Sequence, residues 1–178
     1  MFKEILNFWF NELEPKQWWT SSPELDALLK ERFLEVWKQA AKGELYAWRT
    51  TAAGRLAEII VLDQFSRNLY RNTSAAFAQD AMALVLSQEA VSAGALNELN
   101  TDERAFLLMP FMHSESKLIH AQAEQLFKDF TSDKYHDYEM RPKVIIDRFR
   151  LYPHRNSILG RTSTAEELEF LQQPGSSF

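Results

Sequence analysis

Four polar side chains recur at helical spacing within a mostly apolar segment. Asp63 and Arg67 stand four residues apart, and so do Gln64 and Asn68. Side chains at this spacing lie on one face of an α-helix, where an aspartate and an arginine can form an ion pair. The surrounding residues are apolar on several sides of the helix, which predicts that it is buried. These four side chains therefore need polar partners from elsewhere in the chain, because an uncompensated buried charge costs about 3–5 kcal/mol.

Asp63 and Arg67 have three interpretations at this point. They can belong to a structural network that satisfies helix ends and fixes the packing. They can form a polar pocket in which Arg67 binds an anion and Asp63 orients the guanidinium, whose planar donors suit phosphate and carboxylate. They can also lie at a solvated edge of the helix.

A second group of chemically active residues follows Pro110. Ser114 predicts the N-cap of a new helix, next to a packed His113. In a functional interpretation, His113 and Glu115 join the polar site of Asp63. A hydrolytic triad of Ser114, His113 and Asp63 is disfavoured, because capping explains Ser114 more simply.

Residues 141–161 are locally basic in an otherwise acidic chain. Six Lys and Arg residues accompany a single acid there, and they include Arg155 and Arg161. The stretch is either a solvated face or an anion-binding patch. Pro153 sets a turn that presents His154, Arg155 and Asn156 together, as a binding loop would. No recognisable DNA-binding motif accompanies these charges, so no nucleic-acid partner is predicted.

Metal and cofactor signals are weak. His120 and Glu124 lie four apart on one predicted helix face, but they belong to no zinc-protease type motif. The chain has no cysteine, and its 5 glycines form no phosphate-binding loop. The sequence thus predicts no metal and no cofactor.

Composition places the chain among folded domains. It has 178 residues, 46% of them hydrophobic and 25% charged, with a net charge of −5 from 20 basic and 25 acidic residues. This length fits one domain over residues 1–178. No signal peptide and no membrane-spanning run is evident, so we expect a soluble, cytoplasmic protein without a membrane partner.

Capping residues and apolar periodicity predict an all-α fold of stacked antiparallel helical hairpins. A short first helix ends at Pro15. Ser22 and Pro23 begin the next helix, which Gly43 closes. Pro110 kinks or ends a helix that starts at Thr101. The other predicted helices span 51–72, 75–93, a segment that follows the Ser114 cap, 142–149 (where a short strand is the alternative) and 164–171.

Several motifs occur together in this chain. They are residues 62–68 (LDQFSRN), 110–115 (PFMHSE), 153–156 (PHRN) with 159–161 (LGR), and the terminal 174–178 (PGSSF). In this order they resemble a bacterial family of uncharacterised proteins, a domain of unknown function with a tetratricopeptide-like all-helical fold. The resemblance covers nearly the whole chain. It implies a helical, single-domain, cytoplasmic protein and no assigned activity.

Three functions remain open on this basis. The first is a binding module for a small anionic ligand or a peptide. The second is an enzyme of unassigned chemistry, with His113 or His154 as the acid or base and Arg67 stabilising negative charge. The third is a protein–protein scaffold that uses exposed aromatic residues such as Trp18 and Trp19. The candidate binding residues are Asp63, Arg67, Asn68, His113, Glu115, His154, Arg155, Asn156 and Arg161. The oligomeric state is not predicted.

Overall fold

A computed structural model describes residues 1–177, and within them it contains helices and turns and no β-strand. The all-α class is therefore confirmed. Phe178, the last residue of the C-terminal motif, lies outside the described range. The helices are α1 (Phe2–Asn7), α2 (Pro23–Ala41), α3 (Ala52–Ile60), α4 (Ser66–Leu69), α5 (Asp80–Ser92), α6 (Thr101–Met112), α7 (Lys117–Phe130), α8 (Asp133–Phe149) and α9 (Ala165–Phe170).

Helices with strong local signals begin where the sequence predicts. The Ser22 hydroxyl accepts a hydrogen bond from the Leu25 amide at 3.2 Å, and Pro23 occupies the first turn of α2. Gly43 follows that helix with a φ of 72°, which a residue without Cβ adopts at little cost. These features depend only on neighbours in the chain, so the sequence alone suffices to predict them.

The central helix predicted over 51–72 is interrupted by a wider turn. Thr51 caps α3 by accepting a hydrogen bond from the Gly54 amide at 3.1 Å. A π-helical turn then spans Val61–Phe65 before α4 begins. A second π-helical turn, Phe8–Glu12, follows α1. Such turns add a residue to the helical repeat and are frequent at functional sites.

Two predicted helix starts are wrong. The segment predicted to be helical from residue 75 is a 3-10 turn over Ser74–Phe77, and α5 begins at Asp80. Helix α7 is capped at Ser116, and Ser114 lies in the preceding turn. Glu115, which follows Ser114, also lies before the helix and pairs with the distant Arg161.

Prolines lie inside two helices. Helix α6 runs through Pro110 and ends at Met112. Helix α8 is much longer than the predicted 142–149 and contains Pro142, so the strand alternative is wrong. The buried face of α8 includes Tyr135, Glu139, Pro142 and Ile146, which recur at helical spacing. Because Glu139 is acidic, this face does not appear as a periodic pattern of apolar residues in the sequence.

Helix α3 is the centre of the packing. It contacts α1, α5 and α6, while α6 packs on α7 and α7 on α8. Aromatic side chains from distant parts of the chain meet in the main core, including Phe8 after α1, Phe65 in the π-helical turn and Phe106 in α6. A smaller buried cluster of Ile145, Ile146 and Tyr152 ties α8 to the loop that follows it. The tetratricopeptide-like stacking stays a prediction.

Candidate functional site

A cavity of about 560 Å³ lies between the N-terminal segment, the central helix, the end of α6, α8 and the loop after α8. This volume falls within the range of about 300–1,000 Å³ typical of small-molecule sites. Within residues 1–177, no Asp or Glu lines it. We call it the arginine-lined cavity, because its ionisable basic wall residues are Arg67, Arg71, Arg141, Arg155, His113 and His154.

The rest of the wall is largely aromatic and apolar. Trp9 is buried, whereas Trp19 is exposed at the rim. The Trp18 indole donates a hydrogen bond to the Trp9 carbonyl at 2.8 Å, which fixes one tryptophan against the next. The remaining apolar wall residues include Phe77, Met109, Met112, Tyr138, Pro142 and Ile158. A ligand in this cavity therefore meets both charge and flat apolar surface.

Asp63 lies buried behind the wall and binds three side chains. Its carboxylate accepts hydrogen bonds from His113 Nδ1 at 2.7 Å and from Gln64 Nε2 at 2.6 Å, and it lies 3.1 Å from Arg67 Nη1. Burial raises the pKa of Asp63, but the charge of Arg67 and the hydrogen bonds from His113 and Gln64 outweigh it and hold this pKa at about 2. Because the ionised carboxylate only accepts, Nδ1 of His113 carries a proton and Nε2 of the neutral ring keeps its lone pair.

Arg67 and Arg155 share a second carboxylate. Arg67 binds Asp80 through two hydrogen bonds of 2.9 and 3.0 Å, while Arg155 Nη1 approaches Asp80 at 3.4 Å and the His113 carbonyl at 3.2 Å. The Arg155 guanidinium also lies 4.6 Å from the Phe77 ring centroid and 4.5 Å from that of Tyr152. Its Nε atom is buried and has no hydrogen-bond partner among the described residues.

Both cavity histidines are held neutral near pH 7. Burial and the charge of Arg67 lower the pKa of His113. Burial and the charge of Arg155 lower the pKa of His154 to about 4. The positive charge at the wall therefore comes from the arginines.

Glu115 fastens the loop that carries His154 and Arg155. It accepts two hydrogen bonds from Arg161, at 2.6 and 2.9 Å, and one from the Tyr152 amide at 2.7 Å. Burial alone would raise the pKa of Glu115. Its hydrogen bonds to Arg161 and to the Tyr152 amide have the larger, opposite effect, so this pKa lies below its usual value. Glu115 thus holds the backbone of the loop whose side chains His154 and Arg155 line the cavity.

The predicted site residues separate into two groups. Arg67, Asn68, His113, His154 and Arg155 line the cavity, and Asp63 lies directly behind them. Glu115 and Arg161 pair with each other, so the prediction that Glu115 joins Asp63 is wrong. Gln64 and Asn68 share a helix face but do not bind each other, since Gln64 donates to Asp63 and Asn68 donates to Asp26 at 2.8 Å.

Asn156 belongs to the second group as well. Its amide donates to Glu167 at 3.1 Å and to Ser163 at 3.0 Å, away from the cavity. These bonds attach α9 to the loop after α8. Asn156 therefore has a structural position in the predicted motif.

Several residues at the cavity wall or bound to it were absent from the predicted site. Asp80 and Arg141 carry no local signal, because their partners are distant in sequence or aromatic. Trp18 and Trp19 were predicted only as exposed aromatics of a scaffold surface.

A second buried polar cluster lies outside the cavity. His120 Nδ1 is 2.6 Å from Glu139 Oε1, and His120 Nε2 faces the Ser114 carbonyl at 2.8 Å and the Tyr152 hydroxyl at 3.0 Å. The Tyr152 hydroxyl donates to the Met112 carbonyl at 2.5 Å, so both neighbours of Nε2 are acceptors and this nitrogen carries the proton. Burial raises the pKa of Glu139, and the bond to His120 only partly offsets that effect.

The class of ligand is narrowed by the side chains that the described residues offer. Residues 1–177 contain no cluster of three or more His, Cys, Asp or Glu side chains placed to bind a metal ion. None of their helices combines the length and the apolar character needed to cross a bilayer. The donor set of the cavity suits an anion, because arginine offers hydrogen-bond donors and no acceptor.

Comparisons with known proteins agree with this fold. A family model described as a bacterial protein of unknown function (DUF924) matches residues 5–175. A solved structure of a protein of unknown function from Agrobacterium tumefaciens is 31% identical, covers 96% of each chain and superposes with a TM-score of 0.91. No curated protein matches the chain.

Proposed function

The chain belongs to the bacterial DUF924 family of unknown function, and we propose that it binds a small organic anion in the arginine-lined cavity. One observation carries this proposal: within the described residues, four arginines and no carboxylate line a cavity of about 560 Å³. A free peptide carboxylate would use the same donors. The limited volume favours a small molecule.

Arg155 would be the main contact inside the cavity. It is 5% exposed, and one of its Nη atoms already binds Asp80 and the His113 carbonyl. The guanidinium carbon lies over the Phe77 and Tyr152 rings, so little side-chain freedom remains to be lost when an anion binds. Hydrogen bonds from a charged donor to an anion are the stronger kind, at about 1.5–3 kcal/mol each.

Substitution of Arg155 tests this assignment. Arg155→Met keeps the apolar stem and removes the charge, while Arg155→Lys keeps a charge beside Asp80 and loses the planar fork. A thermal-shift screen against carboxylates, phosphates and sulfates would first identify a bound class. We expect binding to be lost in Arg155→Met and weakened in Arg155→Lys, with unchanged helical circular dichroism in both. Undiminished binding by Arg155→Met would refute the assignment.

An enzymatic role is the second candidate, favoured by the hydrogen bond between Asp63 and His113. A buried carboxylate that fixes the Nδ1 tautomer leaves Nε2 able to take a proton, as a general base requires. If a bound anion is turned over, His113→Gln should abolish turnover and retain binding. A rate that is flat from about pH 5 to about pH 8 would argue against this role. If no anion binds at all, the polar cluster is structural, as the scaffold hypothesis supposes.

A further inference from the structure

Most of the charge around the arginine-lined cavity is balanced within the protein. Arg67 and Arg155 face the two carboxylates of Asp63 and Asp80. Arg71 pairs with Asp26 through bonds of 2.7 and 2.8 Å, and Asp26 does not line the cavity. These three arginines and three aspartates therefore leave no net charge.

Arg141 is the exception. It is exposed at the rim on α8, and its guanidinium lies 5.5 Å from the Tyr138 ring centroid. Unlike its neighbours Lys143 and Arg148 on the same helix, it forms no ion pair with a carboxylate in residues 1–177. Since His113 and His154 are neutral near pH 7, the cavity has one uncompensated positive charge.

The wall near this charge is flat and apolar. Trp19 packs against Tyr138 at 5.1 Å between ring centroids, in an edge-to-face arrangement. Trp18 lies 5.0 Å from Phe106 in the same geometry, which fixes its ring against the core. An aryl group fits such a wall, because offset and edge-to-face contacts between rings are favourable.

We infer that the cavity selects a singly charged aryl carboxylate over an aryl phosphate dianion or an uncharged aryl compound. This inference rests on the proposed anion-binding function and adds to it the charge and the shape of the ligand. The single charge of Arg141 balances a monoanion. A dianion would bring a second charge out of water with no cation left to balance it.

Three probes with one aryl body test the inference by isothermal titration calorimetry. They are 2-naphthoate, 2-naphthyl phosphate and 2-naphthamide, used at about pH 8, where the phosphate is a dianion because its second pKa is about 6. Inorganic phosphate serves as the probe without an aryl group. We expect 2-naphthoate to bind at least about tenfold more tightly than the other probes.

Variants of two exposed arginines, Arg141 on α8 and Arg150 directly after α8, separate the effect of charge from that of general stability. Arg141→Gln should weaken 2-naphthoate binding by about fivefold, because the Coulomb energy of a charge at the rim is modest in water, and should leave 2-naphthamide unchanged. Arg150→Gln is the matched control, since Arg150 is exposed and does not line the cavity. It should bind all probes as the wild type does.

The outcomes distinguish this inference from the function on which it rests. Tighter binding of 2-naphthyl phosphate, equal binding of 2-naphthamide, or an Arg141→Gln variant with unchanged 2-naphthoate affinity would overturn the monoanion inference alone. If neither the aryl anions nor inorganic phosphate bind, both the monoanion inference and the proposed anion-binding function are overturned.

Discussion

His113 Nδ1 donates a hydrogen bond of 2.7 Å to Oδ1 of Asp63, although the two residues are 50 positions apart in the chain. Asp63 lies in the π-helical turn between α3 and α4, and His113 is the C-cap residue that follows α6. The bond therefore joins the central helix to the end of α6 and orients the imidazole at the cavity. The buried aspartate thus contacts two side chains of the cavity wall, His113 and Arg67.

Replacing the Asp63 carboxylate tests how much the network stabilises the fold. Asp63→Asn removes the charge that faces Arg67 and His113, so we expect the free energy of unfolding to fall by about 3 kcal/mol. Asp147→Asn is the control, because its ion pair with Lys143 is 44% exposed at the aspartate and should contribute less than about 1 kcal/mol. Urea unfolding of both variants measures the difference. Equal losses would show that the Asp63 network does not stabilise the fold.

The neutral state of His154 predicts a loss of stability in acid. The pKa of His154 falls from 6.5 in the unfolded chain to about 4 in the folded protein, so the unfolded chain binds the proton first. Stability is then fully present above pH 6.5 and is lost as the pH falls toward 4, by at most about 1.4 kcal/mol per pH unit. His154→Gln should lose less stability than the wild type between about pH 7 and about pH 5. Parallel pH profiles of the two proteins would contradict the prediction.

The raised pKa of Glu139 predicts a loss of stability as the pH rises, which is opposite to the effect of His154. Burial raises the pKa of Glu139 above its usual 4.5, so the stability of its protonated form is fully present below pH 4.5 and is lost as the pH rises through the folded-state pKa. Glu139→Gln keeps a donor toward His120 and cannot ionise. It should match the wild type near about pH 5 and exceed it near about pH 8 in urea unfolding. A variant that is less stable than the wild type at the higher pH would mean that Glu139 is ionised in the fold.

Glu115 predicts an indirect effect on binding. Glu115→Gln weakens the bonds to Arg161 and to the Tyr152 amide, which should loosen residues 150–161 at a cost of about 1–3 kcal/mol. Faster amide hydrogen exchange confined to this loop would report the change. Anion affinity should fall although Glu115 does not line the cavity. Unchanged hydrogen exchange in the loop would show that Glu115 does not hold residues 150–161 in place.

Local signals in the sequence predict more of the fold than of the site. Ser22, Pro23 and Thr164 mark helix starts because a cap bonds to residues within three positions of itself. Asp80 gives no such signal, since its partners Arg67 and Arg155 are 13 and 75 residues away. Ser114 and Glu115 show a related limit, because their local pattern predicts a helix start that the structure does not have. Glu115 lies before the observed start of α7 and forms a long-range ion pair with Arg161.

A crystal structure with 2-naphthoate tests the central claim most directly. We predict the aryl ring against Trp18, Trp19 and Tyr138, with the carboxylate within hydrogen-bond distance of a cavity arginine and Asp63 still bound to His113. A soak of Arg155→Met crystals should show weaker density or none. Density outside the arginine-lined cavity, or an empty cavity at a concentration that saturates binding in solution, would contradict the account.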